Sequence, residues 1–263
     1  MSFELADRRV MGAVQPVDVN TKVRITGPFS VSGDDLAFQR NRSGFQVIVR
    51  AKGFEKYAAS FDAPVVPAAA QFPLTAGDPS GRYLPRKISL DLPRDLDPKA
   101  ANTIFKPVDI EMYPSPSAPI APGLAVIRAV ILKKDTTDER LPWTLVRVKL
   151  ASDGTVLARA LADWRGEVLV GVPKIALVSP SEDDKKVVAS DVDVTIDIIV
   201  DSGAVAAEIL ARKQNRHALV NPDDTAKLAP AVADMKRTLA AGNIKTETWE
   251  APFAGAGLVI QKP

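Results

Sequence analysis

The chain has 263 residues, of which 46% are hydrophobic and 25% charged, with no cysteine and a formal net charge of +2. That length exceeds one small sandwich and suits two domains of about 100 residues with extensions. The missing cysteines exclude disulfides and thiolate metal sites, and 34 basic residues against 32 acidic ones, with no basic stripe carrying aromatics, argue against nucleic-acid binding.

Residues 1–18 read as a polar lead-in. The first strand is expected where Val23 and Ile25 alternate with Arg24 and Thr26, before Gly27-Pro28. Residues 32–44 read as loop. Phe45, Val47 and Val49 then alternate with polar neighbours, and Gly53 breaks that strand. Phe54 and Tyr57 look like core anchors. Residues 64–82 are rich in Pro, Ala and Gly and read as a long loop. Ile88, Leu90 and Leu92 form a closing strand, ended by prolines that remove ladder donors. The first sandwich is thus expected over 19–97, with a linker at 98–107.

A second block, 108–200, opens with Val108, Ile110 and Met112 alternating with acids. Pro114 to Pro119 must be irregular. The apolar run Ala125–Leu132 suits a strand buried on both faces. Further strands are expected over Val146–Leu150, Val156–Leu161, Val168–Val172 and Val192–Val200. In the last of these, Asp191, Asp193, Thr195 and Asp197 would form the wet face. Strands at this spacing, with turn signals between them and no βαβ rhythm, indicate antiparallel sandwiches.

Residues 201–263 change character. Ser202–Lys213 carries strong helix formers, with Ser202 as N-cap. Asn221-Pro222-Asp223-Asp224 signals a second helix. Leu228, Val232, Met235 and Leu239 recur at four, three and four residues, one apolar helical face, with Gly242 as its stop and Pro230 as a delay or kink. The tail from Ile244 onward looks extended and carries Trp249, Phe253, Leu258 and Ile260. The expected fold class is therefore mainly β: two tandem sandwiches followed by a helical arm and tail.

Two turns repeat. Asn41-Arg42-Ser43-Gly44 precedes the strand from Phe45, and Asp163-Trp164-Arg165-Gly166 precedes the strand from Glu167. Asn or Asp bonds forward to its own backbone, and Gly supplies a conformation that other residues resist. With Leu145-Val-Arg-Val148 and Gly154, this order resembles the carboxypeptidase regulatory-like, or transthyretin-like, sandwich family. The strings Arg42-Ser-Gly-Phe45, Gly81-Arg-Tyr-Leu-Pro-Arg86, Leu92-Pro-Arg-Asp95 and Met112-Tyr-Pro-Ser115 resemble regulatory-like proteins encoded with contractile injection systems and phage-like tails. The resemblance implies an Ig-like or transthyretin-like fold and a non-enzymatic structural or adaptor role in a particle, as baseplate, cap or shell accessory.

His217 is the only histidine. With no Cys and no nucleophile elbow it reads as a surface loop residue rather than a catalytic base. Ser181–Lys186 lacks calcium-loop spacing, and Ala254-Gly-Ala-Gly257 lacks the lysine and helix of a phosphate loop. No cofactor and no metal are expected. Trp164 is a candidate partner contact, because tryptophan is enriched at hot spots; the alternative is partial burial against the sandwich edge. The apolar residues Leu228, Val232, Met235, Leu239, Trp249, Phe253, Leu258 and Ile260 are candidates because short helices must pack on the sandwiches or on another subunit; an extended tail either adds to a neighbour's sheet edge or folds back onto its own second domain. The expected partners are protein subunits, including further copies of this chain. A binding module for carbohydrate or a cell-surface ligand is the alternative. The first ten residues lack a cationic start followed by an apolar run, and no run of about 18 apolar residues occurs. The expected setting is therefore the bacterial cytoplasm, without a membrane span.

Overall fold

The computed structural model describes residues 10–60, 65–173, 175 and 191–259. They fall into two compact units. The first holds residues 10–17, 23–60, 65–79 and 85–111, and the second holds 18–22, 80–84 and the described residues from 112 onward. The chain is mainly β, arranged in several sheets.

In the first unit, β1 (Ala13–Asp18), β2 (Ser30–Ser32), β3 (Leu36–Arg40), β4 (Gln46–Ala51), β5 (Ala70–Gly77), β6 (Arg86–Leu92) and β7 (Val108–Met112) accompany one short helix, α1 (Glu55–Ala59). One sheet runs β3-β4-β1-β7 and the other β2-β5-β6. Phe54 and Tyr57 are buried, and the Phe54 ring meets Tyr57 and Phe72 edge-on at 6.4 and 5.5 Å, the geometry aromatic quadrupoles favour.

Three sequence expectations are corrected here. The first strand is Ala13–Asp18, inside the supposed lead-in, because Val14, Pro16 and Val17 are buried there. Val23 is 65% exposed, and its segment contributes a single bridge, Arg24 to Val17. Residues 32–44 contain β3, which pairs with β4 across the Asn41–Gly44 turn. Residues 64–82 contain β5, where Phe72, Leu74 and Ala76 are buried. This period-two signal was hidden among prolines and alanines. Pro73 sits on a stretch of β5 that β2 does not cover, since β2 pairs only with Thr75–Gly77.

The second unit contains β8 (Ala125–Lys133), β9 (Glu139–Arg140), β10 (Leu145–Leu150), β11 (Val156–Leu161), β12 (Glu167–Val172), β13 (Val192–Ile199), β14 (Val232–Leu239), β15 (Ile244–Ala251) and β16 (Leu258–Val259). Its helices are α2 (Ser202–Arg212) and α3 (Pro222–Thr225). One sheet runs β11-β10-β13-β14. The other places β8 between β12 and β15, with β9 and β16 beyond. Both sheets feed one aliphatic core: Ile127 and Ile131 from β8, Val146 and Val148 from β10, Val168 and Val170 from β12, and Ile196 and Ile198 from β13. The odd-numbered Leu145, Leu161 and Ile199 point to the opposite face, where α2 covers them with Ala204 and Ala211. The Pro-rich segment lies against the other sheet, with Ala118 packed on Val126 and Leu169. Arg128 pins it by donating to the Pro116 carbonyl at 2.6 Å.

The expected helical arm is corrected in part. α2 forms, but its N-cap is Asp201, whose carboxylate accepts from the Gly203 and Ala204 N–H groups, a better cap than Ser202 because it also opposes the helix dipole. Asn221 caps α3 as its sequence suggests, yet α3 ends after four residues. The face 228–239 is not helical. Pro230 lacks the N–H a helix interior needs, and residues 232–239 form β14 on the edge of β13. Their three-residue step from Val232 to Met235 is a bulge, with a register shift opposite Ile196/Ile198 and Asp234 at φ +54°. One extra residue restores side-chain parity, so Val232 and Met235 both pack on the core.

Both flanks of this two-sheet core are closed by polar side chains. On one flank, the Asn20 amide accepts from the Arg159 N–H (2.8 Å) and donates to the Arg159 and Gly171 carbonyls (3.0 and 3.3 Å). It thereby ties edge strand β11 to edge strand β12. On the other, Arg237 of β14 clasps Glu247 of β15 at 2.7 and 3.0 Å, and Lys245 donates to the Thr238 carbonyl. Charged side chains on edges discourage further pairing.

Gly166 adopts φ +74°, and a Cβ there would lie 3.1–3.3 Å from Arg140 Cβ, the Ile131 carbonyl and the Leu141 N. Gly154 has the same φ of +74° with nothing within 4 Å. Gly154→Ala should therefore cost about 1 kcal/mol, from conformation alone, and Gly166→Ala about 2–3 kcal/mol in urea unfolding. Equal losses would contradict the packing argument.

Candidate functional site

The two Asx-x-x-Gly turns close with the same bonds. In the first unit, the Asn41 N–H donates to the Phe45 carbonyl, the Gly44 N–H to the Asn41 carbonyl, and the Phe45 N–H to Asn41 Oδ1, at 2.9–3.0 Å. In the second, the Asp163 N–H donates to the Glu167 carbonyl, the Gly166 N–H to the Asp163 carbonyl, and the Glu167 N–H to Asp163 Oδ1, at 2.8–3.1 Å. Gly44 and Gly166 sit at φ +81° and +74°. The surroundings differ. The first turn joins paired strands of one sheet, whereas the second carries the chain from β11 in one sheet to β12 in the other.

Asp163 is buried and accepts from Arg165 through the N–H at 2.7 Å and the guanidinium at 3.0 Å. Burial pushes its carboxyl above the usual carboxylate range, against the opposing pull of these donors.

Trp164, in the same turn, is half-buried rather than open. Its ring stacks on His217 at 4.3 Å between centroids, 18° from parallel. The guanidiniums of Arg212 and Arg165 lie 4.8 and 5.3 Å from the ring centre, within cation–π range. His217 Nδ1 in turn lies 2.8 Å from Glu208 Oε1. Glu208 is fully buried in α2, and its Oε2 accepts from Trp143 Nε1 (2.9 Å) and the Ala218 N–H (2.8 Å). Trp143 holds φ +56° while 1% exposed, a strained setting for a bulky residue.

His217 is the exposed loop residue its sequence suggests, and from there it links Trp164 to a buried carboxylate. The sequence signal for Glu208 was its place on the apolar stripe of α2 with Ala204 and Ala211, four residues before and three after. An acid there must find donors. A His–carboxylate pair can move a proton, but acyl or phosphoryl chemistry needs a nucleophile at its other nitrogen. The His217 ring meets the Trp164 ring and Glu208. Among the described residues no group of three His, Cys, Asp or Glu could hold a metal ion.

The wet-face reading of β13 is corrected at Asp197, which is 2% exposed. It pairs with Lys149 at 2.8 Å and Arg147 at 3.4 Å and accepts from the bulged Asp234 N–H at 3.2 Å. Lys149 is held above its ordinary value by its bonds to Asp197 and then Asp234.

The C-terminal candidates mostly serve the unit's own core. Leu239, Trp249 and Leu258 are buried, the first two in the aliphatic core, and Val232, Met235 and Phe253 pack against that core. Trp249 lies on β15, parallel to β8, and Leu258 on β16, paired with β9. Leu228 remains 43% exposed. Ile260 and the segment 181–186 lie outside the described residues. No helix among the described residues is long and apolar enough to cross a membrane.

No family model and no curated protein matches the chain. A solved structure of the Bacillus anthracis TIE protein is similar at 10% identity over 92% of this chain, with a TM-score of 0.26. The chain spans about a third of that protein's length, 34%.

Glu208→Ala strands two buried donors, Trp143 Nε1 and the Ala218 N–H. A loss of about 3 kcal/mol is expected in urea unfolding, and a smaller one for Glu208→Gln, which keeps an acceptor. Asp163→Asn preserves the turn, as Asn41 does naturally. Because the folded carboxyl binds its proton more readily than the unfolded one, Asp163 contributes most to stability below the ordinary carboxylate value. That contribution is lost as pH rises through the folded value. The stability of the native chain relative to Asp163→Asn should thus fall from acid to neutral pH; a rising difference would refute the assignment.

Proposed function

We propose that the chain is a non-enzymatic structural adaptor in a multi-subunit assembly, with units of the carboxypeptidase regulatory-like, Ig-like sandwich kind acting as rigid spacers. The observation that supports this reading is the use made of the buried polar groups. Asp163, Asp197 and Glu208 each bond to groups that hold a corner, a bulge or a helix, and the core around them is aliphatic. Such a unit keeps its shape and presents surfaces. The contractile-injection-system or phage-tail-like particle is the preferred setting, on the resemblance of the strings at 42–45, 81–86, 92–95 and 112–115.

The sealed flanks favour attachment through faces and loops over addition of a strand. A carbohydrate-binding role would need an open aromatic face, and Trp164 stacks on His217 with two guanidiniums nearby.

The test is sedimentation. The tagged chain should travel with assembled particles through a density gradient, and cells lacking it should yield particles of altered composition or length. A chain that remains at monomer mass beside intact, unaltered particles would end the proposal.

A further inference from the structure

Beside the Asn41–Gly44 turn of the first unit lies a concavity of about 190 Å³ whose lining includes Arg24, Arg40 and Arg42 and no Asp or Glu. The guanidiniums of Arg24 and Arg40 share one side of the turn. A Cβ on Gly44 would meet Arg24 Nη2 at 3.0 Å and Arg40 Nη2 at 3.7 Å. Arg24 is held in place: its guanidinium lies 4.1 Å over the Phe45 ring, and its Nη2 donates to the Ser43 carbonyl at 2.5 Å. Its buried Nε has no acceptor. Among the described residues no carboxylate pairs with any of the three arginines.

The second unit shows how the same turn is neutralised. There Arg165 pairs with Asp163 at 3.0 Å and Glu167 at 3.1 Å, and Arg140 pairs with Glu167 at 3.1 Å. The positions of those two acids are held in the first unit by Asn41 and Phe45. The backbone of the turn is kept while its negative charge is gone and arginines gather. Crowded like charges disfavour one another unless an anion sits between them. The missing charge is that of two carboxylates. A phosphate monoester carries close to two negative charges and three acceptor oxygens, and planar guanidiniums bind it through paired N–H groups. A single carboxylate would leave two of the three cations uncompensated.

We infer that the Arg24–Arg40–Arg42 concavity is a binding site for a small phosphate-bearing solute, inorganic phosphate or a phosphate monoester. This rests on the charge arrangement of the first unit and is independent of the assembly role proposed above.

The probes are inorganic phosphate and O-phosphoserine, titrated into the full chain at constant ionic strength and followed by NMR of the Gly44 and Phe45 amides and the Arg24 Nε–H. Acetate and vesicles containing phosphatidic acid serve as the other arms. Saturable shifts confined to the turn are expected with both phosphates, with Kd on the order of 1 mM, and acetate should give none. Arg40→Gln with Arg42→Gln, both exposed side chains, should weaken binding about tenfold with the melting temperature unchanged. Arg24→Lys should weaken it too while retaining one positive charge. Equal shifts with acetate, or an affinity indifferent to the arginine changes, would overturn the site. Binding to vesicles alone, with the free phosphates inert, would assign the patch to a membrane surface and also overturn it.

Discussion

In the second unit the chain leaves one sheet and enters the facing one through a four-residue turn that passes a left-handed backbone position while its amides stay bonded. That constraint falls on Asp163–Gly166. The Asp163 carboxylate takes the N–H groups of residues 165 and 167, and Gly166 fits against the Ile131 carbonyl where a side chain would not. Once the corner is set, Val168, Val170 and Val172 land opposite the β10 and β13 aliphatics. Trp164 is then left at the apex, where His217 and Arg212 can reach it. The aliphatic core and the polar cluster around Glu208 are both built out from this turn.

Buried charge does a related job elsewhere. Asp197 occupies a strand position that alternation assigns to water, yet it is enclosed because the bulge at Asp234 presents an N–H that the β13 ladder does not take up. Lys149 then meets both carboxylates. Removing one partner of such a group leaves an uncompensated buried charge, which ties the bulge, the ion pair and the register of β14 to one another.

How much of this was readable in the sequence depended on whether a local signal had a single meaning. The strands at 125–133, 145–150, 156–161, 167–172 and 192–199 were readable because aliphatic runs bounded by turn residues have few alternatives. The two Asx-x-x-Gly turns were readable because their chemistry is local. The segment 228–239 misled, because a strand with one extra residue reproduces the three- and four-residue spacing of a helix face. β5 was obscured by composition, since Pro73 and its alanine-rich approach outweighed Phe72, Leu74 and Ala76. The Glu208 cluster and the arginine concavity could not be assembled from sequence: Trp143 is 65 residues from Glu208, and Arg24 is 19 from Ser43. Only the fold sets which distant side chains meet.

β15 runs parallel to β8 and pairs with it across eight positions, from Ile244↔Val126 to Ala251↔Lys133, while β14 closes the other sheet on β13. The late strands of the chain thus supply the last rib of each layer. During synthesis, β8 pairs early with β9 and β12 but must wait for more than a hundred further residues before β15, the strand on its other side, emerges, a pairing of high contact order and slow closure. Until then the nascent unit carries two unfinished aliphatic sheets with bare ladders. The protein is therefore most vulnerable to misassociation on the ribosome, in the interval before residues 232–251 arrive.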